Sequence, residues 1–286
     1  GSRHYILWSL ESGAYPQNLK LGLVMATLHF EIKGELGSLT LLALQRVADC
    51  TLKMLADYDQ GISREKGGSL DWLIINIGAG SLRVDLASQS RLEDKNFGPD
   101  VARLFVAGWE SIERAGATPP YLTERGMAQA KRLAGLIGKE GTTGFLVSHL
   151  SKAVDITSSS TNHLQQLTKI RQRSIGSVEG RLETISIHGQ SRIILYHSRT
   201  GKAVTCRVTA DLLPKLVSTE MLGRRVIASG EVHSNVRGEP MRMNVEDLRI
   251  LRRKEELPAT ASLGGRFPDF TGDQSTEEYL RSLRGA

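Results

Sequence analysis

Residues Gly176–Val208 read GSVEGRLETISIHGQSRIILYHSRTGKAVTCRV. The stretch contains three runs rich in β-branched and other apolar residues, and turns at Gly189 and Gly201 separate these runs. Such runs, bounded by turn-forming residues, are typical of short neighbouring β-strands. Working outward from this stretch, we expect the second half of the chain to be built mainly from strands.

The sequence that follows adds a helix and two further strands. A segment with helical spacing, ADLLPKLVSTEML, precedes two more β-rich runs, GRRVIASGEVHSNVRGE and MRMNVEDLRILRR. Three strands, a helix and two strands within residues 177–253 are in the order of an OB-fold, a small Greek-key β-barrel. A generic five-stranded α+β domain has the same elements and is the alternative interpretation.

The first half mixes helical and strand patterns. Most of residues 18–59 has apolar side chains at helical spacing, and two β-rich runs flank Gly78–Ser81 like the strands of a hairpin. Two amphipathic helices follow, the second with Thr123 as its candidate N-cap, and then a short strand and a serine-rich link. We therefore expect an α+β protein with three parts: an α+β domain of unknown role (1–173), an OB-like β-barrel of five strands (174–253) and an extended tail with a short helix (254–286).

The composition is that of an ordinary globular protein. The 286 residues are 40% hydrophobic and 24% charged, with a net charge of +6. No apolar run approaches the roughly 18 residues that span a bilayer. Two widely separated cysteines, Cys50 and Cys206, form neither a zinc-ligand spacing nor a disulfide framework. We therefore expect no membrane association and a reducing, cytoplasmic location.

No motif in the chain indicates catalysis. The Gly78–Ser81 segment lacks the helix and the lysine that follow a phosphate-binding loop, so a turn is the better interpretation. The seven histidines form no metal-ligand spacing. Asp71, Asp85, Asp94 and Asp100 lie in dissimilar local contexts, which favours solvated carboxylates. We therefore expect no catalytic residues, no metal and no cofactor, and a function other than that of an enzyme.

Positive charge is concentrated in the predicted barrel. Residues 174–253 contain thirteen Lys and Arg against eight Asp and Glu. OB-folds hold single strands with a basic groove and with stacking aromatic residues on their second and third strands. With a single aromatic residue in that region, binding of single-stranded nucleic acid is an alternative function rather than the leading one. Its candidate residues are Arg192, Tyr196, Arg199, Lys202 and Arg207.

The tail, residues 254–286, combines a linker-like segment with a short helix. Pro and Gly recur as far as Gly272, and the segment STEEYLRSLR then has Ser275 as its N-cap, acids in its first turn and arginines at its end. A helix this short is marginal alone, so it has to dock either on a partner protein or on the protein's own core. The candidate anchors are Phe267, Phe270, Tyr279, Leu280 and Leu283.

Three stretches carry a resemblance to known proteins. They are the opening stretch, Gly176–Val208, the stretch LGRRVIASGEVHSNVRGEPMRMNVEDLRIL and the tail PDFTGDQSTEEYLRSLRG. They resemble a group of bacterial proteins, some of which lie beside ribonuclease toxins of the PIN-domain type. The tail is similar to the C-terminal neutralising segments of the matching antitoxins. The chain differs from these short antitoxins in its α+β front half, which contains no evident helix-turn-helix.

The resemblance implies a non-enzymatic, antitoxin-like binding protein. PIN ribonucleases hold Mg²⁺ in a cluster of carboxylates, and a guanidinium pairs with a carboxylate through two parallel hydrogen bonds. Arg281 and Arg284, with Arg266 as a lesser candidate, would enter that cluster while the apolar anchors fill neighbouring pockets. The implied partner is a nuclease toxin with an acidic active site.

Overall fold

The computed structural model confirms an α+β protein, and the chain divides into two compact units. One unit consists of Gly1–Gly116 with Gln129–Asn162, and the other consists of Ala117–Ala128 with His163–Ala286. The sequence patterns placed a boundary at residue 174 and did not reveal that Ala117–Ala128 joins the second unit. The structure describes residues 26–34, 37–65, 67–78, 82–187, 190–212, 214, 216, 221–257 and 271–284.

The first unit contains a five-stranded sheet in which every neighbouring pair is antiparallel. Its strands are β1 (Thr27–Gly34), β2 (Leu70–Gly78), β3 (Leu82–Ser90), β4 (Thr142–His149) and β5 (Lys152–Ile156), in the order β2-β3-β1-β4-β5. Helix α1 (Leu41–Ser63) packs on helix α2 (Gly98–Glu113), and α2 packs on β1, β3, β4 and β5. Since these helices meet a single sheet, that sheet has one buried face.

Strand β1 corrects the expectation that residues 18–59 are mostly helical. Leu28, Phe30 and Ile32 are buried while His29 and Glu31 lie between them on the opposite face, the period of two that defines a strand. Leu28 and Ile32 alone are four residues apart and fit a helical spacing, and pairing with β3 and β4 decides the outcome. Residues 18–25 of that prediction lie outside the described residues.

Strand β5 was also missed, because its residues were assigned to the serine-rich link. Lys152–Ile156 pairs with β4 at the edge of the sheet. By contrast, the hairpin strands on either side of Gly78–Ser81 are present as β2 and β3, which pair antiparallel. Isolated short runs such as KAVDI have too few residues to show a clear period.

The second unit contains five strands that close into a barrel. They are β6 (Gln172–Ser186), β7 (Arg192–His197), β8 (Ala203–Val208), β9 (Arg225–Ser234) and β10 (Pro240–Ile250), in the order β10-β8-β7-β6-β9. The pair β8–β10 is parallel and the other four pairs are antiparallel. Alternate residues point inward and form a buried apolar core that includes Leu182, Leu195, Val204, Val226 and Met243.

Three further α-helices have described bounds, and short 3-10 helices lie at Ala210–Leu212 and Lys254–Glu256. Helix α3 (Glu124–Ala134) starts at Thr123 as predicted, since the Thr123 Oγ1 accepts a hydrogen bond from the Gly126 backbone N–H at 3.2 Å. Helix α4 (Ser159–Thr168) precedes the barrel, and helix α5 (Thr276–Leu283) lies in the tail. Among the described helices, none combines the length and the apolar character that crossing a bilayer requires.

Candidate functional sites

The tail helix α5 has a well-formed N-terminus. The Ser275 Oγ accepts a hydrogen bond from the Glu278 backbone N–H at 3.3 Å, and a Glu278 carboxylate oxygen accepts one from the Ser275 backbone N–H at 2.9 Å. The Ser275 backbone N–H, and after it the Ser275 hydroxyl, lower the pKa of Glu278. The sequence predicted Ser275 as the N-cap but did not predict the reciprocal bond to the Glu278 carboxylate. The complete capping box explains why an eight-residue segment is helical.

The two leucines of α5 are exposed. None of the α5 residues is buried: Leu280 is 45% exposed and Leu283 is 65% exposed. Tyr279 is partly buried, and Arg281 and Arg284 are exposed. The predicted anchors Phe267 and Phe270, and Arg266, lie outside the described residues. The described part of the tail therefore presents two exposed leucines and two exposed arginines.

Residues 251–256, which follow the last strand, remain in contact with the barrel. The Arg224 Nη2 donates to the Leu251 carbonyl oxygen at 3.2 Å and to a Glu256 carboxylate oxygen at 3.4 Å. The Arg253 backbone N–H also donates to Glu256, at 2.9 Å. These contacts tie residues 251–256 to the barrel, so a truncation that removes α5 and keeps them should end at Leu257.

Two of the predicted nucleic-acid-binding residues lie side by side on the barrel. Arg192 on β7 and Arg207 on β8 are directly opposite each other, and both are exposed. Arg199 is also exposed, in the turn between these strands. Directly opposed like charges on neighbouring strands are destabilising. A bound anion would relieve that repulsion.

The other two predicted residues are engaged inside the second unit. Tyr196 is only 6% exposed, and its ring centroid lies 5.7 Å from that of Tyr121. The Lys202 Nζ donates to Glu239 at 2.6 Å, and the two side chains are 18% and 12% exposed. A buried ring offers little surface for a base to stack on, and a paired ammonium offers little free charge to a phosphate.

Glu239 is the centre of a polar network on this side of the barrel. Its carboxylate accepts hydrogen bonds from the Lys202 Nζ, from the Thr118 backbone N–H and Oγ1 at 3.2 and 2.5 Å, and from the Asn235 Nδ2 at 2.9 Å. Burial opposes ionisation, yet the hydrogen bonds from Lys202, Thr118 and Asn235 outweigh it and lower the pKa of Glu239 to about 2. The network fixes a charged carboxylate at this position.

The segment Ala117–Ala128 reaches this network and the barrel strands. The Tyr121 backbone N–H donates to the Gly201 carbonyl oxygen at 2.8 Å, and Glu124 forms an ion pair with Arg242 on β10. Tyr121 also covers Tyr196. Part of the surface predicted to bind nucleic acid is therefore occupied by the protein's own chain.

A polar cleft lies on the first unit, on the sheet face opposite the buried one. Four residues form a row across four neighbouring strands, each directly opposite the next: Ser148 on β4, His29 on β1, Asp85 on β3 and Asn76 on β2. The cleft has a volume of about 480 Å³. We call it the polar-row cleft; its other lining residues are Phe30, Glu31, Gly78, Arg83 and Leu146.

Hydrogen bonds hold the carboxylate of Asp85 at both oxygens. The His29 Nδ1 lies 2.7 Å from Oδ1, and the Asn76 Nδ2 donates to Oδ2 at 2.9 Å. Partial burial would raise the pKa of Asp85, but the hydrogen bonds from His29 and Asn76 prevail and lower it. In the next row, the Arg83 Nε donates to Glu31 at 3.0 Å. The charged groups that line the cleft are therefore paired with one another.

A β-bulge in β2 brings Asn76 to the cleft. Ile74 is opposite Leu86 and Asn76 is opposite Asp85, so Ile75 is the extra residue. Without the bulge, Asn76 would be opposite Val84 and would point to the other face of the sheet. Bulges are often found where a strand redirects a side chain into a functional site.

The sequence interpretation missed the polar-row cleft. It treated Asp85 as a solvated carboxylate and found no ligand spacing among the histidines, because the row takes one residue from each of four strands. The alternation in TLHFEIKG was the available signal, since a strand there would have put His29 and Glu31 on one face. Among the described residues, no group of three or more His, Cys, Asp or Glu side chains could hold a metal ion.

Comparison with known proteins adds no identification. No family model matches the chain, and no curated protein matches its sequence. The arrangement of its own residues is therefore the basis for a functional assignment.

Proposed function

We propose that this protein is an antitoxin-like binding protein whose C-terminal tail acts without catalysis, by inserting into the acidic active site of a PIN-type nuclease toxin. The observation that supports the proposal is the exposed, capped helix α5 with two leucines and two arginines in solvent. A helix that completed the protein's own core would bury Leu280 and Leu283. As proposed, the protein acts in the cytoplasm, where its two buried, unpaired cysteines stay reduced.

The apolar part of the helix supplies the area that docking requires. Leu280 and Leu283 are three residues apart and lie on neighbouring positions of the helix surface. Burying each leucine on a partner contributes roughly 1.5–3 kcal/mol. The capping box keeps the helix formed before it binds, which lowers the ordering cost of association.

The arginines supply the chemistry that matches an acidic site. Within the described residues, neither Arg281 nor Arg284 forms an ion pair, so both guanidinium groups are available to a partner. A guanidinium binds a carboxylate through two parallel hydrogen bonds and competes with Mg²⁺ for the same oxygens. A Mg²⁺-dependent nuclease would lose both its metal and access for RNA.

We infer that the barrel is an OB-fold and that it is the rigid body from which the tail extends. In favour of this, its closed order with a parallel β8–β10 pair follows the three-strand, then two-strand sequence expected for that fold. The contacts of Arg224 with Leu251 and Glu256 hold the chain to the barrel after its last strand.

The proposed function is tested by capture from the native host with two baits. We expect the full-length chain to retain a nuclease that a chain ending at Leu257 does not retain, because the truncation removes α5 and keeps the Arg224–Glu256 contact. The captured protein should cleave RNA only with Mg²⁺, and the full-length chain should inhibit it. Equal capture by both baits, with the truncated chain folded by circular dichroism, would contradict the proposal.

Binding of single-stranded nucleic acid is a second candidate, and the Arg192–Arg207 pair favours it. We expect Arg192→Gln with Arg207→Gln to weaken oligonucleotide binding at low salt and to reduce the salt slope by about 0.7 per lost phosphate contact. Fluorescence anisotropy against salt concentration measures this. Arg249→Gln on β10, where the side chain is 81% exposed, is the control and should leave binding unchanged. If the wild-type protein bound no oligonucleotide at low salt, this candidate function would be excluded.

A further inference from the structure

We propose that the polar-row cleft is a second functional site, which cleaves small uncharged carboxylic esters with Ser148 as nucleophile, His29 as general base and Asp85 as the residue that positions the base. The proposal rests on residues of the first unit alone and is independent of the tail. Arg83 neutralises Glu31, and the Asp85 carboxylate beside a neutral His29 keeps one negative charge in the cleft, which disfavours anionic substrates and suits an uncharged polar one. Leu146 adds an apolar contact.

The His29–Asp85 hydrogen bond prepares the imidazole to act as a base. With Nδ1 donating to the Asp85 carboxylate at 2.7 Å, Nε2 is left as the proton acceptor. Asn76 holds the second oxygen of Asp85, so the carboxylate cannot rotate away. Glu31 and Arg83 are the other charged groups that line the cleft around His29.

Ser148 stands on the other side of His29 from Asp85. The two residues are directly opposed on antiparallel strands and line the same cleft. The Cβ atoms of such a pair are about 4.5–5.5 Å apart, which is within reach of a hydrogen bond between a serine Oγ and an imidazole nitrogen. The order nucleophile, base, carboxylate is the one that serine-dependent acyl transfer requires.

The reaction balances with these groups and water. The Ser148 Oγ forms a bond to the ester carbonyl carbon while its proton passes to the His29 Nε2. The bond between that carbon and the leaving oxygen breaks, and His29 returns the proton to the leaving alcohol. Water then attacks the acyl-serine in the same way and releases the carboxylic acid. Arg83 lines the same cleft, and we assign its guanidinium as the donor to the oxyanion.

The experiment uses an alkyl fluorophosphonate and the full chain, with adducts located by intact mass and peptide mapping. The Ser148 Oγ attacks phosphorus, fluoride leaves, and the hydroxyl proton passes to His29. We expect a single adduct on Ser148, none in Ser148→Ala, and labelling at least about 100-fold slower in His29→Gln, because a general base contributes 10²–10⁴-fold. Asp85→Asn should slow labelling about tenfold or more and shift its dependence on pH, since it changes the favoured tautomer.

Ser151→Ala is the matched control, because Ser151 is exposed three residues beyond Ser148 and outside the cleft. It should label at the wild-type rate. Thermal unfolding of each variant establishes that it is folded at the labelling temperature. A wild-type chain that forms no adduct, an adduct on a different residue, or labelling that His29→Gln leaves unchanged would overturn the proposal.

Discussion

Replacing Arg281 and Arg284 together with glutamate is expected to weaken partner binding by at least about 1,000-fold. Removing one partner of a desolvated charge pair costs roughly 2–5 kcal/mol, and each 1.4 kcal/mol is a factor of about ten in Kd. The glutamates would also face carboxylates in the proposed acidic site. Titration calorimetry or surface plasmon resonance with the captured nuclease measures the change.

The matched control replaces two other exposed arginines with glutamate, far from α5 in the sequence. Arg103 and Arg114 are exposed, at 62% and 76%, and belong to surface ion pairs of α2. Arg103→Glu with Arg114→Glu should alter binding by less than about threefold, because surface ion pairs contribute only 0–1 kcal/mol. If both double variants bound like the wild type, the arginines of α5 would have no part in recognition.

Glu239→Gln is expected to lower the free energy of unfolding by about 3 kcal/mol at pH 7. The pKa of Glu239 falls from 4.5 to about 2 in the folded protein, and each unit corresponds to about 1.4 kcal/mol. The variant also leaves Lys202, which is 18% exposed, without its counter-charge. Urea unfolding followed by circular dichroism measures the difference.

The difference in unfolding free energy between the wild type and Glu239→Gln should depend on pH, because folding lowers the pKa of Glu239. A lowered carboxyl pKa stabilises the folded state fully above pH 4.5, and the stabilisation is lost as the pH falls toward 2. The gap between wild type and Glu239→Gln should therefore be largest near neutral pH and should shrink on acidification. Glu93→Gln, on an exposed loop, should leave stability unchanged. A gap that stays constant from pH 7 to pH 3 would contradict the role assigned to Glu239.

Local patterns were sufficient to predict much of the second half of the fold. The alternating runs around RIILYH and AVTCRV appear as β7 and β8, and the boundary residues Thr123 and Ser275 cap their helices. Each of these features depends on residues close together in the chain, where period and capping chemistry decide the structure.

Features that depend on distant residues were not predictable. Strand β1 was assigned to a helix although TLHFEIKG alternates, because only its pairing with β3 and β4, which is set by tertiary contacts, decides between the two structures. Tyr196 looked available for stacking, and only Tyr121, from a segment remote in sequence, shows that it is covered. The row from Ser148 to Asn76 requires the register of four strands and one bulge, which no single stretch encodes.

Competition with Mg²⁺ tests most directly the central claim that an arginine of the tail occupies a metal-binding carboxylate cluster. The measurement is the Kd between the full-length chain and the captured nuclease over a range of Mg²⁺ concentrations at constant ionic strength. We predict that the Kd rises in proportion to Mg²⁺ once the metal site begins to fill, and that Arg281→Gln with Arg284→Gln removes this dependence. A Kd that is independent of Mg²⁺ would show that the tail binds elsewhere and would contradict the proposed inhibition.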